Sequence, residues 1–234
     1  MNELLENIEY LATTTQEIVK IPKTITPDIL YITGVIMGDG SLPINHRYKE
    51  NNFQYTVSIT SKGKEFLEGK IKPILQQTFE IEKISIFYRN RRWPSWSLEK
   101  GNKIIYRFFM QTMEIPTGKK GQKAKIPDII KKLEPVHGIP FLAGLIDSDI
   151  GKHGKGMGCT FRSKAIVNDL IEFLGKLGIT AKSYGTHFKN NKYIQHDFSI
   201  PKSQVKKLKD VLEQNYLPKR EDRLNTLFSR AGVR

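Results

Sequence analysis

Two spacings of apolar residues recur along the chain, one typical of helices and one with a period of two. Residues 31–37 and 141–146 are apolar nearly all round, which is typical of helices buried in a core. In residues 53–60 aromatic and β-branched residues alternate with Gln, Thr and Ser, which predicts a strand with one apolar and one polar face. The chain therefore carries signals for both buried helices and half-buried strands.

Followed along the chain, these signals predict a helix, two strands, a helix, two strands and a helix in the first half. The second half repeats this order, with one predicted strand, 157–162, in place of the first pair. The predicted helices cover residues 28–39, 64–78, 102–113, 138–149, 164–177 and 202–214. The predicted strands cover residues 41–47, 53–60, 83–89, 93–99, 157–162, 180–187 and 192–200. The expected fold class is α+β, built from two pseudo-symmetric αββαββα halves.

The remaining segments divide the chain further. Residues 2–20 have the spacing of an amphipathic helix. Residues 116–137 are rich in lysine and end in a short predicted helix, 127–133. The C-terminus is basic and predicted helical at 221–229. Residues 150–158 contain four glycines and are predicted to be a mobile turn. The predicted domains are an N-terminal helical arm 1–25, a first half 26–115, a basic linker 116–137, a second half 138–217 and a C-terminal basic tail 218–234.

The two buried helices are copies of one pattern. With an offset of 110 residues, each has an apolar run, then a small residue (Gly38 or Ser148), then an acid (Asp39 or Asp149). The chain is therefore interpreted as a tandem repeat of one unit. The glycines at 34 and 144 lie four places before the small residues, on the same helix face, so the two helices are expected to pair closely and to bring their ends together.

Such a pairing makes the acids a candidate metal site. A helix C-terminus is negative, and two like charges about 4 Å apart repel by about 1 to 4 kcal/mol in polar surroundings. A divalent cation between them reverses the sign of that interaction. Hard oxygen ligands favour Mg²⁺, which also recruits phosphate oxygens.

Charge and composition narrow the class of partner. The chain has 38 Lys and Arg against 24 Asp and Glu, a net charge of +14, which usually indicates a polyanion such as nucleic acid. The single cysteine, Cys159, excludes a disulfide framework, and the five histidines lack ligand spacing. No apolar run is long enough for a transmembrane span and no signal peptide is evident, so an intracellular setting, cytoplasmic or organellar, is expected.

Residues 142–149, Leu-Ala-Gly-Leu-Ile-Asp-Ser-Asp, resemble the LAGLIDADG motif of the homing endonucleases, with Ser148 in place of the second Ala. Ile150 replaces the final Gly of the motif. Residues 32–40 resemble a diverged first copy that keeps Gly34, Asp39 and Gly40. Two motifs in one chain match the single-chain, pseudo-dimeric form of the family, and the resemblance covers about residues 26–217.

The resemblance implies a site-specific endonuclease of intron homing, a monomer that makes a staggered break with 3′ overhangs in a long double-stranded DNA target. Its motif helices would lie at the interface of the halves and its antiparallel sheets would form a DNA-binding saddle. Asp39 and Asp149 would bind Mg²⁺, with Mn²⁺ or Ca²⁺ as substitutes, aided by the backbone carbonyls of Gly38 and Ser148. Asp147 is not carried over as a ligand, because the first copy has a methionine at that place.

Basic and polar residues near the acids are candidates for orienting water or offsetting phosphate charge: Ser61, Lys62, Lys152, Arg162 and Lys164. The first two directly follow the strand 53–60, where related enzymes place a polar residue and a lysine of the active site. Arg162 and Lys164 hold the matching place in the second half, but the register is open because the following helices align best with a small shift. Lys152 follows the second acid by three places.

The polar faces of the predicted sheets carry hydrogen-bonding side chains that can read base edges in a major groove. The basic turn 89–92 suits phosphate contacts. The candidate DNA contacts are Arg47, Gln54, Thr56, Ser58, Arg89, Arg91, Arg92, Trp93, Lys182, Tyr184, Tyr193 and Gln195.

Two alternatives use the same fold without site-specific DNA cleavage. The charge also suits RNA, so an intron-encoded maturase stays open. A non-catalytic DNA-binding regulator is the other, and the retention of both acids argues against it. An intein is not expected, because the chain opens with Met1 and lacks a His-Asn splicing end.

Overall fold

The computed structural model of the protein describes residues 10–12, 17–47, 52–90, 92–118, 120–189 and 193–230. The chain divides into two compact units, Met1–Lys119 and Lys120–Arg234. Among the described residues, no helix has both the length and the hydropathy needed to cross a membrane.

The first unit begins with a hairpin and continues as a helix, strands, a helix, two strands and a helix. Its elements are β1 (Tyr10–Ala12), β2 (Ile18–Lys20), α1 (Pro27–Asp39), β3 (Gly40–Ser41), β4 (Ile44–Arg47), β5 (Asn52–Ser61), α2 (64–79), β6 (Ser85–Arg89), β7 (Ser95–Gly101) and α3 (103–112). Both α2 and α3 contain a π-helical turn, at Leu67–Ile71 and Phe108–Thr112. The main sheet is antiparallel in the order β3–β5–β7–β6, and β4 also pairs with β5.

Helix α1 is the centre of this unit because its sequence is apolar on all sides. The Thr26 side chain accepts a hydrogen bond from the Ile29 N–H and caps its start. Nine consecutive residues, 29–37, are buried. The helix ends at Asp39 because Gly40 is extended and enters β3.

The second unit repeats this succession. Its elements are α4 (Asp128–Lys131), α5 (Ile139–Ser148), β8 (Gly151–His153), β9 (Gly156–Phe161), α6 (Lys164–Lys176), β10 (Lys182–Lys189), β11 (Tyr193–Ile200), α7 (Lys202–Asn215) and α8 (Glu221–Arg230). Short 3₁₀ turns at Gly121–Lys123 and Pro135–Gly138 precede α5. The sheet is antiparallel in the order β10–β11–β9–β8, so in both units the strands are arranged first, second, fourth, third.

The expected α+β class and the doubled αββαββα succession are confirmed. All ten residues of α5 are buried, as its apolar sequence predicts. The Ser148 hydroxyl donates to the Gly144 carbonyl at 2.8 Å, so the small residue of the second motif is hydrogen-bonded within its own helix.

The predicted N-terminal helix is wrong where the structure describes it, because β1 and β2 form an antiparallel hairpin. Ile18 and Val19 are β-branched and favour a strand. Their exposure alternates as in a half-buried strand: Ile18 is 62% exposed and Val19 is fully buried. The remainder of the predicted helix, residues 2–9 and 13–16, lies outside the described residues.

The predicted mobile turn at 150–158 is also wrong, because β8 and β9 pair across it. Only Gly154 and Lys155 form the turn. At Gly156 and Gly158 an added Cβ would lie 2.1 Å from a carbonyl oxygen of β11. These two glycines therefore permit close packing of strands, whereas Gly154, with a φ of 56°, allows the turn.

The stretch predicted as a linker is attached to both units. Thr117 bridges to Leu42 in the first. In the second, the Ile126 N–H donates to the Asp169 carboxylate at 2.9 Å, and the Ser163 hydroxyl donates to the Ala124 carbonyl.

Candidate functional site

The acids singled out by the repeat stand at the C-terminal ends of α1 and α5. Asp39 is exposed and Asp149 is half-buried. Neither helix has a basic residue in its own last turn, and the last carbonyls of a helix have no partner within it. Each helix end thus carries an acid where the helix dipole is already negative.

Strand pairing gives the two acids the same setting. In the first unit Ser41 pairs with Ser58, and in the second Gly151 pairs with Gly158. Because these strands are antiparallel, the register that pairs Ser41 with Ser58 places Asp39 level with Thr60. In the second unit it likewise places Asp149 level with residue 160. The two acids therefore occupy equivalent positions within their own units.

The same register settles which basic residues correspond. Because Ser58 matches Gly158, Lys62 matches Arg162, four residues further on in each unit. Lys164 then matches Lys64, the first residue of α2. The two units therefore align here without the small shift that the helix sequences suggested.

Lys62 and Arg162 are both exposed and directly follow the central strands β5 and β9. The Lys62 turn lies beside the first acid, because the Thr60 hydroxyl donates to the Asp39 carbonyl at 3.0 Å. In the second unit the Arg162 guanidinium lies over Gly121, 3.9 Å from where a Cβ would be.

The other candidate catalytic residues differ in accessibility. Ser61 is only 5% exposed, and its hydroxyl accepts a hydrogen bond from the Gly63 N–H at 3.2 Å, so it holds the turn that carries Lys62. Lys152 is exposed on β8, and Lys164 is exposed at the start of α6.

Asp147 belongs to a different network. Its side chain is fully buried, and its carboxylate accepts backbone hydrogen bonds from Lys219 at 2.6 Å and from Arg220 at 3.2 Å. The Arg220 guanidinium also donates to the Asp147 carbonyl at 3.4 Å. Sequence reasoning set Asp147 aside for want of a counterpart but missed this role, because the partners lie more than 70 residues away.

The donors at the two helix ends suit a hard divalent cation. Asp39 and Asp149 supply carboxylate oxygens, and the carbonyls of Gly38 and Ser148 lie in the last turns of α1 and α5. Oxygen donors of this kind fit Mg²⁺, which keeps part of its water shell and needs few protein ligands. Among the described residues no group of three or more His, Cys, Asp or Glu side chains could hold a metal ion.

The polar face of the first sheet is less accessible than its sequence suggests. Thr56 and Ser58 are 2% and 5% exposed, so the expectation that they face solvent is wrong. Neighbouring side chains cover this face: Ser58 donates to Glu99 on the adjacent strand β7 at 3.3 Å, and the Gln54 amide of β5 itself lies over Gly101, the partner of Thr56 on β7. The hydroxyls of Thr56 and Ser97 are buried without a hydrogen-bond partner.

Arg89 does not lie in the turn as predicted. It ends β6, pairs with Ser95 and forms an ion pair with Glu99. Of the candidate residues 89–93 that the structure describes, Arg92 and Trp93 are exposed, with the Arg92 guanidinium 5.9 Å from the Trp93 ring centre. Trp93 is 79% exposed, and Arg91 lies outside the described residues.

In the second unit a β-bulge changes the alternation of β10. Lys182 is exposed and pairs with Ser199. The register shifts between residues 183 and 186, after which His187 rather than an even-numbered residue stands opposite Gln195. A strict period of two does not reveal this shift. Gln195 is half-buried, and the side chains of Arg47, Tyr184 and Tyr193 lie outside what the structure describes.

Sequence comparison relates this chain to two proteins. No protein-family model matches the chain. The homing endonuclease I-DmoI of Desulfurococcus mucosus is 26% identical over 153 residues, which is 64% of this chain and 70% of that protein. The isomerizing glutamine–fructose-6-phosphate aminotransferase of Methanocaldococcus jannaschii is 26% identical over 165 residues, but the match spans 14% of that protein's length and 70% of this chain.

Solved structures agree with the sequence match to I-DmoI. I-DmoI in complex with DNA and Ca has a TM-score of 0.65 at 20% identity, covering 86% of this chain and 96% of that one. The LAGLIDADG meganuclease I-AabMI bound to uncleaved DNA has a TM-score of 0.53 at 15% identity, covering 89% and 91%. The resemblance indicated by the two motifs is confirmed, and the chain has the fold of the LAGLIDADG homing endonucleases.

Proposed function

Because the chain has the LAGLIDADG homing-endonuclease fold, we propose that this protein is a site-specific DNA endonuclease. It cuts both strands of a long DNA target and uses a divalent metal ion. The observation that carries the proposal is the equivalence of Asp39 and Asp149. Each ends a buried helix, and each is level with the same position of its neighbouring strand. A duplicated acid in a duplicated setting suits a reaction that occurs once on each DNA strand.

The residues divide the work by chemistry. Asp39 and Asp149, with the carbonyls of Gly38 and Ser148, would hold Mg²⁺, which when bound activates water and stabilises the leaving oxygen. Lys62 and Arg162, exposed just beyond the central strands, would offset the charge of the phosphate. The products would carry staggered 3′ overhangs.

Recognition would come from the sheets and the basic turns. Arg92 and Lys182 are exposed cations suited to phosphate, while Gln54 and Gln195 can bond base edges. The exposed Trp93 offers a stacking surface. A single chain supplies both acids, so the active form would be a monomer.

The test begins with the target, found by cleaving a randomised DNA library and sequencing the ends, which also gives the overhang. On that target, Asp39→Asn and Asp149→Asn should each lower double-strand cleavage in Mg²⁺ by at least about a hundredfold, because each removes a charge that would hold metal. Binding affinity should stay near the parental value. Asp210→Asn, an exposed acid on α7, is the matched control and should cut normally.

Two further results bear on the proposal. In EDTA the Asp39→Asn and Asp149→Asn variants should melt no lower than the parent, because each loses a charge at a negative helix end. A double variant that linearises the target at the parental rate would falsify the site assignment. Tight binding of structured intron RNA, without cleavage of any DNA in the library, would favour the maturase alternative.

A further inference from the structure

The C-terminal segment is attached to the motif helix α5 by a buried acid. The Asp147 carboxylate is fully buried and receives the backbone N–H groups of Lys219 and Arg220, at 2.6 Å and 3.2 Å. A buried carboxylate is costly unless it is hydrogen-bonded. This contact therefore fixes where the chain enters α8.

The attachment brings a cation to the end of α5. The Arg220 guanidinium donates to the Asp147 carbonyl at 3.4 Å, and Asp147 lies two residues before Asp149. No residue in the last turn of α5 is basic, so Arg220 supplies, from the tail, the positive charge that a helix C-terminus favours.

The first unit is built differently at the equivalent place. Met37 occupies the position of Asp147 and is buried. The Asp39 carbonyl receives a neutral donor, the Thr60 hydroxyl, at 3.0 Å. In the second unit the matching hydroxyl, that of Thr160, donates instead to Asp197 at 2.9 Å.

We infer that Arg220, positioned by Asp147, is a component of the site at Asp149, and that the first unit cannot hold a cation in the same way because Met37 has no carboxylate. The inference rests on the proposed function and adds an asymmetry to it. A guanidinium at this helix end offsets negative charge where a backbone phosphate must approach. The strand served by the second unit therefore depends on the tail, and the strand served by the first does not.

The experiment measures nicking of each strand separately, with a supercoiled plasmid and with duplex DNA labelled on one strand at a time. Arg220→Gln should slow cleavage of one strand by about tenfold, as expected for loss of one charge-assisted interaction, and leave the other near the parental rate. Nicked plasmid should accumulate. Arg220→Lys, which keeps the charge, should restore much of the lost rate.

The matched control is Lys219→Gln. It removes a positive charge one residue away and keeps the backbone N–H that Asp147 accepts. The Lys219 ammonium lies 5.1 Å from the Tyr216 ring centre. Because the side chain is directed to that ring, its loss should leave both strands cut at the parental rate.

Three results would overturn the inference. Equal slowing of both strands with a lowered melting temperature would make the contact purely structural. Parental rates on both strands for Arg220→Gln would overturn this inference alone, with the proposed function still standing. A parent protein that cuts neither strand of any target would overturn both.

Discussion

At Gly158 the backbone of β9 passes so close to β11 that an added Cβ would lie 2.1 Å from the Phe198 carbonyl oxygen. Gly158→Ala should therefore lower the free energy of unfolding by about 1–3 kcal/mol, because a backbone atom must move to make room. Gly175→Ala is the control, since no atom lies within 4 Å of its added Cβ. It should be neutral or stabilise α6 by up to about 1 kcal/mol. Urea unfolding measures both, and equal effects would show that the close approach does not matter.

At the scale of residues, the sequence predicted which residues are candidates for the site better than it predicted the contacts that those residues make. The acids at 39 and 149 stood out because repetition separates a functional pattern from chance. The burial of Thr56 and the pairing of Arg89 with Glu99 could not be predicted, because they depend on which strands become neighbours. The attachment of Asp147 to Arg220 was missed for the same reason.

Among elements, the N-terminal hairpin contacts the end of β7 through Glu17. Glu17 accepts hydrogen bonds from Lys100 and from Asn102, the latter at 2.9 Å. Burial acts to raise the pKa of Glu17, but the hydrogen bonds from Lys100 and Asn102 outweigh it, so the pKa lies below its ordinary value of 4.5. A carboxyl group with a lowered folded pKa stabilises the protein above its unfolded pKa, and that contribution is lost as pH falls through the folded value.

Glu17→Gln should therefore destabilise the protein at pH 7 by about 1 kcal/mol, after allowance for the partial exposure of Glu17. The difference in melting temperature from the parent should shrink as the pH falls below about 4.5. Glu172→Gln, which removes an exposed ion pair with Lys176 on one helix, should have little effect at any pH. A difference for Glu17→Gln that stays constant down to pH 3 would contradict this account.

The helices and strands themselves were largely predictable, because the spacing of apolar residues in a long segment indicates its secondary structure whichever elements it packs against. Helix α6 was expected at 164–177 and spans Lys164–Lys176. The failures are short segments. In β2 three residues carry too little periodicity to distinguish strand from helix, and in β8 the glycines gave no side-chain pattern to follow. The bulge in β10 similarly breaks a period on which strand prediction depends.

For the molecule as a whole, the net charge of +14 is divided unequally. Residues 1–119 contain 16 basic and 13 acidic residues, and residues 120–234 contain 22 and 11. The net charges are therefore +3 and +11. Most of the attraction for a polyanion should come from the second unit, which also holds Arg162 and Arg220.

Binding to target DNA should therefore weaken steeply with salt, because each phosphate neutralised by Lys or Arg releases counterions and contributes about −0.9 to the log–log slope. Arg92→Gln should make the slope shallower by about 0.9, because Arg92 is an exposed cation in the turn between β6 and β7. Lys176→Gln removes the same charge from α6, where the lysine is already paired with Glu172 at 2.8 Å, and should leave the slope unchanged. Fluorescence titrations from low to moderate salt measure all three proteins. A nearly flat response of the parent would contradict phosphate binding altogether, and equal slopes for the parent and Arg92→Gln would remove this turn from the interface.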